Sequence, residues 1–214
     1  MKDITANEMN FVLKLLKSPE EEINSRNMSK KIGLSHMGAL KIAKKLEKEG
    51  IVTSRQIGKG RYYKIDFTKS YTKQYVKFLL NRETEQAHPY VKRWINELKK
   101  ITKAKIMILF GSVLTKHDEA RDVDVLFVTD NKNFSPLKKE IESINSINIK
   151  KIHPIYQNKE DLIKNIKDKD KVVLNIIKGI LVCGEEDFIG TLEKWDKWYF
   201  VSFLKRLENF RGMG

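Results

Sequence analysis

The sequence predicts an α/β (α+β) protein in two successive parts: helices closed by a basic hairpin, then apolar strands alternating with helices. Three observations carry this. Residues 1–67 show apolar positions at helical spacing, followed by two strand-like runs around Gly58-Lys59-Gly60. Residues 106–110 are a continuous apolar run, as in a strand buried on both faces, and a second strand follows in which Asp122 and Asp124 share one side while Val123 and Val125 take the other. Charge is divided unevenly: residues 1–67 hold 14 Lys and Arg against 8 Asp and Glu, 68–105 hold 10 against 3, and 106–214 hold 18 against 17. The net +14 of this 214-residue chain therefore lies almost wholly in its first half. A one-sided basic excess is the footprint of a nucleic-acid surface.

Taken in order, residues 6–17 carry Met9, Phe11, Val12, Leu15 and Leu16 at helical spacing, and Ser18-Pro19 ends that helix. Residues 26–34 form a short second helix stopped at Gly33. Ser35 is an N-cap for a third helix, 35–48, whose inward stripe is Ala39, Ile42, Ala43 and Leu46. Gly50 ends it, and residues 51–65 read as a hairpin. Residues 67–80 and 89–101 are two further helices, separated by a polar hinge at 82–88. After the strand pair at 106–128 come a helix at 135–144, a strand at 149–156, helices at 159–167 and 171–178, a short strand at 180–182 and a last helical part from Gly184. Trp195, Trp198, Tyr199, Phe203, Leu207 and Phe210 make an aromatic stripe there, read as core or subunit packing.

The strings IGLSHMGALKIAKKLEKEGIV and TSRQIGKGRYYKI give residues 1–67 a resemblance to a winged helix-turn-helix domain. The resemblance implies binding of double-stranded DNA. Ser35, His36, Met37, Gly38 and Lys41 would then face the major groove, and Lys44, Lys45, Arg55, Lys59 and Arg61 would meet phosphates or the adjacent minor groove. The alternative is a wing domain used for protein contact. A homodimer is compatible with either.

The stretch around 106–128 carries the chemistry. Paired carboxylates repel unless a cation lies between them, and hard oxygens suit Mg²⁺ (or Mn²⁺), whose shell is completed by water and substrate phosphates. Gly111 allows close approach of a ligand, and Ser112 opens a helical turn with unpaired N–H groups for a phosphate. A strand, Gly111-Ser112, then Asp122-x-Asp124 on the next strand resembles the polymerase-beta-like nucleotidyltransferase superfamily, particularly its minimal members. The resemblance implies a nucleotidyltransferase-like domain at 105–214, joined to the winged helix (1–67) by a helical connector (68–104). It implies an NTP substrate, Asp122 and Asp124 as metal ligands and catalytic carboxylates, and Gly111, Ser112 and Lys116 at the nucleotide. A protein or a nucleic acid would accept the NMP.

Two departures are visible. The strand IKKIHPIYQ lacks the third carboxylate of the family, and His153 stands about where it is expected. Val113-Leu114-Thr115-Lys116 replaces the usual small or basic run after Gly-Ser. Two readings therefore stay open: an active transferase, or a transcription regulator whose second domain senses nucleotide or mediates dimerisation. A simple hairpin with a solvated acidic pair is the blandest alternative. The single cysteine, Cys183, reads as a buried thiol. Without a signal peptide or long apolar span, a cytoplasmic protein with no membrane contact is expected.

Overall fold

The computed structural model describes residues 4–211, with side chains described as far as Tyr199. The chain divides between Glu83 and Thr84 into two compact units.

The first unit opens with α1 (Ala6–Leu16), where Thr5 accepts from the Glu8 N–H and the Glu8 carboxylate accepts from the Thr5 N–H. This reciprocal cap satisfies two of the helix's unpaired donors. β1 (Ile23–Asn24) leads into α2 (Ser25–Lys31), with Asn24 and Asn27 capping each other in the same way. α3 (His36–Lys48) starts at Ser35, whose hydroxyl accepts from the Gly38 N–H at 3.0 Å. β2 (Val52–Ile57) and β3 (Gly60–Ile65) form the hairpin, with Ile57 opposite Gly60 and only Gly58 and Lys59 in the turn. Gly58 has φ +56, the conformation a two-residue hairpin turn needs. α4 (Ser70–Gln86) follows, and the division between units falls inside it. The sheet order is β1-β3-β2, all antiparallel. The succession helix, strand, helix, helix, hairpin is that of a winged helix.

β1 was not legible in the sequence. Two residues have no periodicity, and only pairing with β3, Ile23 opposite Tyr63, makes them a strand. Of the polar run at 82–88, read as hinge, residues 82–86 are helical. It carries no Gly or Pro to stop the helix, and Glu83 is fixed by Lys17 at 2.6 Å.

The second unit begins with α5 (Pro89–Leu98) and β4 (Ile106–Phe110). The single-turn α6 (Val113–Lys116) and a 3₁₀ turn at His117–Glu119 lead to β5 (Val123–Val128). Then come α7 (Asn131–Ile147), β6 (Ile152–Gln157), α8 (Lys159–Lys167), α9 (Lys171–Ile176), β7 (Ile180–Cys183) and α10 (Glu185–Arg211). The sheet order is β6-β5-β4-β7. β5 and β6 run parallel, while β4 is antiparallel to both of its neighbours. The protein is thus mixed α+β, with helices on both faces of this mixed sheet.

Strand alternation decides which face each residue serves. Val123, Val125 and Phe127 of β5 join Leu137, Ile141 and Ile144 of α7 and Trp94 and Leu98 of α5 in one core. Leu126 and Val128 point the other way and are equally buried. On that side α9 and α10 reach β4, and α10 packs on α8.

α7 begins at Asn131, four residues before the start expected at Ser135. Pro136 lies inside it, at the cost of one helical hydrogen bond near the exposed Lys132. β6 starts three residues later than expected, because Ile149 is 97% exposed and outside the sheet. Cys183 is largely buried, and burial pushes its thiol up to about 11. No helix among the described residues is long and apolar enough to cross a membrane. Phe203, Leu207 and Phe210 of the aromatic stripe lie outside the residues whose side chains are described; Trp195 is buried and stacks on Tyr199 with centroids 5.0 Å apart.

Candidate functional site

Two surfaces concern function, one in each unit. In the second unit, β4 delivers Phe110 opposite Asp124 of β5, and the next residue, Gly111, turns away with φ +79. A Cβ at Gly111 would collide with the Asp124 carboxylate, coming within 3.1 Å of Cγ and 3.3 Å of Cβ. The left-handed backbone and this contact both favour glycine here. The parallel register of β5 and β6 sets Asp124 beside His153, and His153 Nδ1 lies 3.1 Å from Asp124 Oδ1. Asp124 is partly covered, at 27% side-chain exposure, whereas His153 is open at 70%. Asp122 precedes β5 and is exposed. Its parity places it on the Asp124 side, since Val123 between them points into the core.

Ser112 occupies the N-cap of α6, but its hydroxyl makes no capping bond. Its carbonyl accepts from the N–H groups of Thr115 and Lys116. Lys116 ends the turn and is exposed. The structure therefore brings Gly111, Asp124 and His153 together, with Ser112 next in the chain and Lys116 one turn further on; Asp122 lies just before the strand, outside this group of contacts. Among the described residues no group of three or more His, Cys, Asp and Glu comes together as a metal cluster. A divalent ion here would rest on two carboxylates, with phosphate and water completing its shell. That is the arrangement Mg²⁺ tolerates.

Residues that the sequence did not single out hold the loop between Gly111 and Asp122. His117 has φ +52 and stacks on His88 with centroids 3.7 Å apart and planes 10° from parallel. Lys150 donates to the carbonyls of Asp118 and Ala120 and lies 5.5 Å from the centre of the Tyr90 ring. A ring stack and a lysine reaching back 30 residues leave no local pattern, so no signal in the sequence could have found them.

In the first unit, α3 exposes His36, Met37, Lys41 and Lys44, and the hairpin exposes Lys59 and Arg61. The predicted residues divide by what they touch. Lys45 pairs with Glu8 and Arg55 with Glu22. Arg61 bonds Glu47 at 2.9 Å and Ser54 at 2.7 Å. His36 Nε2 is 2.9 Å from Ser25 Oγ, and Ser35 is occupied as the cap. Lys41, Lys44 and Lys59 extend into solvent.

The Lys45 contact also has a pH signature. Burial acts to raise the Glu8 carboxyl, but the Lys45 ammonium and the Thr5 hydroxyl and N–H more than reverse it, so it sits below the usual range. A depressed carboxyl contributes stability above its unfolded value of 4.5, and that contribution is lost as pH falls through the folded value. Glu8→Gln is therefore expected to lower the urea midpoint at pH 7, with the gap to wild type narrowing as pH falls below 4.5. A gap independent of pH would refute the ion-pair account.

No family model matches the chain, and no curated protein does. Among solved structures it is similar to a ZitR variant from Lactococcus lactis, at 13% identity and TM-score 0.34, over 47% of this chain and 64% of that one. It is also similar to the adhesin competence repressor AdcR from Streptococcus pyogenes, at 13% identity and TM-score 0.35, over 47% and 69% of the two chains. A homodimeric winged helix-turn-helix DNA-binding domain from Mycobacterium bovis matches at 17% identity and TM-score 0.32, over 39% and 73%. The matched part spans less than two thirds of the ZitR chain.

Proposed function

We propose that the protein binds double-stranded DNA through its first unit and that its second unit is a Mg²⁺-dependent (or Mn²⁺-dependent) nucleotidyltransferase. The observation that carries the transferase reading is the close fit of Gly111 against Asp124, itself paired with His153. The DNA reading is supported by Lys41, Lys44 and Lys59 on the exposed side of α3 and the hairpin tip.

In this reading Asp122 and Asp124 would hold the divalent ion, which would supply positive charge to the phosphates of a bound NTP. Asp124 Oδ1 accepts from His153 Nδ1. A carboxylate acceptor at Nδ1 fixes the proton there and leaves Nε2 as the basic nitrogen. The hydroxyl of a protein or nucleic-acid acceptor attacks the α-phosphorus. The bond to pyrophosphate breaks, and His153 Nε2 takes the hydroxyl proton. Asp124 thus orients the base as well as binding the ion. The backbone at Gly111-Ser112 and the ammonium of Lys116 receive the phosphates.

A specific observation favours a second reading. His153 occupies the place of an acid and engages Asp124, as it would in a regulator whose second unit only senses nucleotide or mediates pairing of two copies. Turnover separates the two. Wild type and the Asp122→Asn/Asp124→Asn variant would be incubated with labelled ATP, CTP, GTP and UTP plus Mg²⁺ or Mn²⁺, with and without cell extract. Label transferred by wild type alone is the expected result, with His153→Ala slowing transfer roughly 10²–10⁴-fold. No transfer under any condition, with DNA binding intact, establishes the regulator reading instead.

A further inference from the structure

At the far end of the same sheet lies a cavity of about 210 Å³, at the carboxyl ends of β5 and β6. Its place follows from topology. β5 and β6 are parallel neighbours, but their helices leave in opposite directions. α7 packs on the Val123 and Phe127 face, while α8 packs with α10 on the other. Adjacent parallel strands whose connections diverge leave a crevice beyond their carboxyl ends, where α/β proteins bind ligands. Asp124 sits at the opposite end of β5, about 16 Å away at roughly 3.3 Å per residue.

The wall chemistry narrows the occupant. Phe134 and Tyr156 meet edge to face, centroids 5.0 Å apart, and Phe134 is 37% exposed. Gln157 Oε1 is buried with no hydrogen-bond partner among the described residues, so it calls for a donor. Asp130 and Asp161 line the cavity at the starts of α7 and α8, and Asp130 does not cap its helix but pairs with Lys105 at 2.7 Å. These carboxylates oppose a phosphate, despite the two helix N-termini. Lys105, Lys132 and Lys159 surround Asp130 and oppose a cation. What remains is a neutral, flat molecule with an N–H donor. At about 210 Å³ the space suits a single ring system, since drug-sized ligands take roughly 300–1,000 Å³.

We infer that this crevice binds an amino-bearing heterocycle of the adenine class, its ring against Phe134 and Tyr156 and its exocyclic amine donating to Gln157 Oε1. The site is separate from the transferase centre and does not depend on that reading.

The test is calorimetric titration of the full chain with adenosine and with inosine, which carries a carbonyl where adenosine has the amine. Four proteins are compared: wild type, Gln157→Leu, Phe134→Ala and Asp122→Asn/Asp124→Asn. Adenosine is expected to bind wild type and the Asp double variant alike. Inosine should bind wild type at least tenfold more weakly, and Gln157→Leu should weaken adenosine at least tenfold. Phe134→Ala alters an exposed ring and keeps the test valid if Gln157→Leu fails to fold. Absence of adenosine binding at millimolar concentration, equal binding of inosine, or loss in the Asp double variant with retention in both cavity variants would each overturn the assignment.

Discussion

Gly111→Ala is expected to be a strongly damaging change at the candidate site of the second unit. Two independent costs fall on one methyl group. The backbone at 111 has φ +79, and a left-handed conformation costs an L-residue roughly 1–2 kcal/mol. The added Cβ also collides with the Asp124 carboxylate, and overpacking of this kind costs typically 1–3 kcal/mol. Together they predict a loss of about 2–5 kcal/mol. At roughly 2–4 °C per kcal/mol for a chain of this size, the melting transition of the second unit should drop by several degrees at least. Asp124 cannot yield easily, because it is registered between Phe110 and His153. Relief would come by breaking the contact with His153, so on the proposed transferase reading nucleotide transfer should fall even at temperatures where the variant stays folded. Unchanged melting of Gly111→Ala would show that the turn relaxes freely and that the fit between Gly111 and Asp124 is not a constraint.

Changing Lys41, Lys44 and Lys59 together to Ala is expected to have the largest effect on DNA. These three side chains extend from α3 and the hairpin tip into solvent. Each phosphate neutralised by a lysine contributes about 0.9 to the slope of log affinity against log salt. Losing three contacts should therefore flatten the slope by about 2.7 and weaken binding at low salt by at least about tenfold. Lys45→Ala and Arg55→Ala are the informative controls. Their partners are Glu8, nearly buried at 6% side-chain exposure, and Glu22. Removing either cation should lower stability more than DNA affinity. An unaltered salt slope in the triple variant, measured by titration of a labelled duplex, would place DNA on some other surface or on none.

Much of the architecture was legible because it rests on local rules. Ser35 before a stripe of Ala39, Ala43 and Leu46 announces a capped helix, and α3 forms as expected. Gly58-Lys59-Gly60 between strand-forming runs announces the hairpin. The apolar run at 106–110, the turn at Gly111 and the alternation of Val123, Asp124 and Val125 announce β4, its exit and β5, because side chains on a strand alternate with period two.

Other features depend on what meets at long range. β1 is a strand only because β3 lies beside it, and α4 runs through a polar stretch anchored by Lys17. Lys45 and Arg55 carry the same charge as Lys44 and Lys59 in the sequence, but acids 37 and 33 residues away claim them. The stack of His88 on His117 joins segments with no shared pattern. The sequence by itself determined most element types and the alternation that puts Asp124 on the side opposite Val123 and Val125, since propensity and periodicity act within a few residues; Asp122, expected on the same strand, falls just before it. Only the tertiary structure decided that β6 lies parallel to β5, setting His153 against Asp124 at one end and opening the Gln157 crevice at the other. Strand order is a competition among all apolar faces for burial, and no local stretch records its outcome.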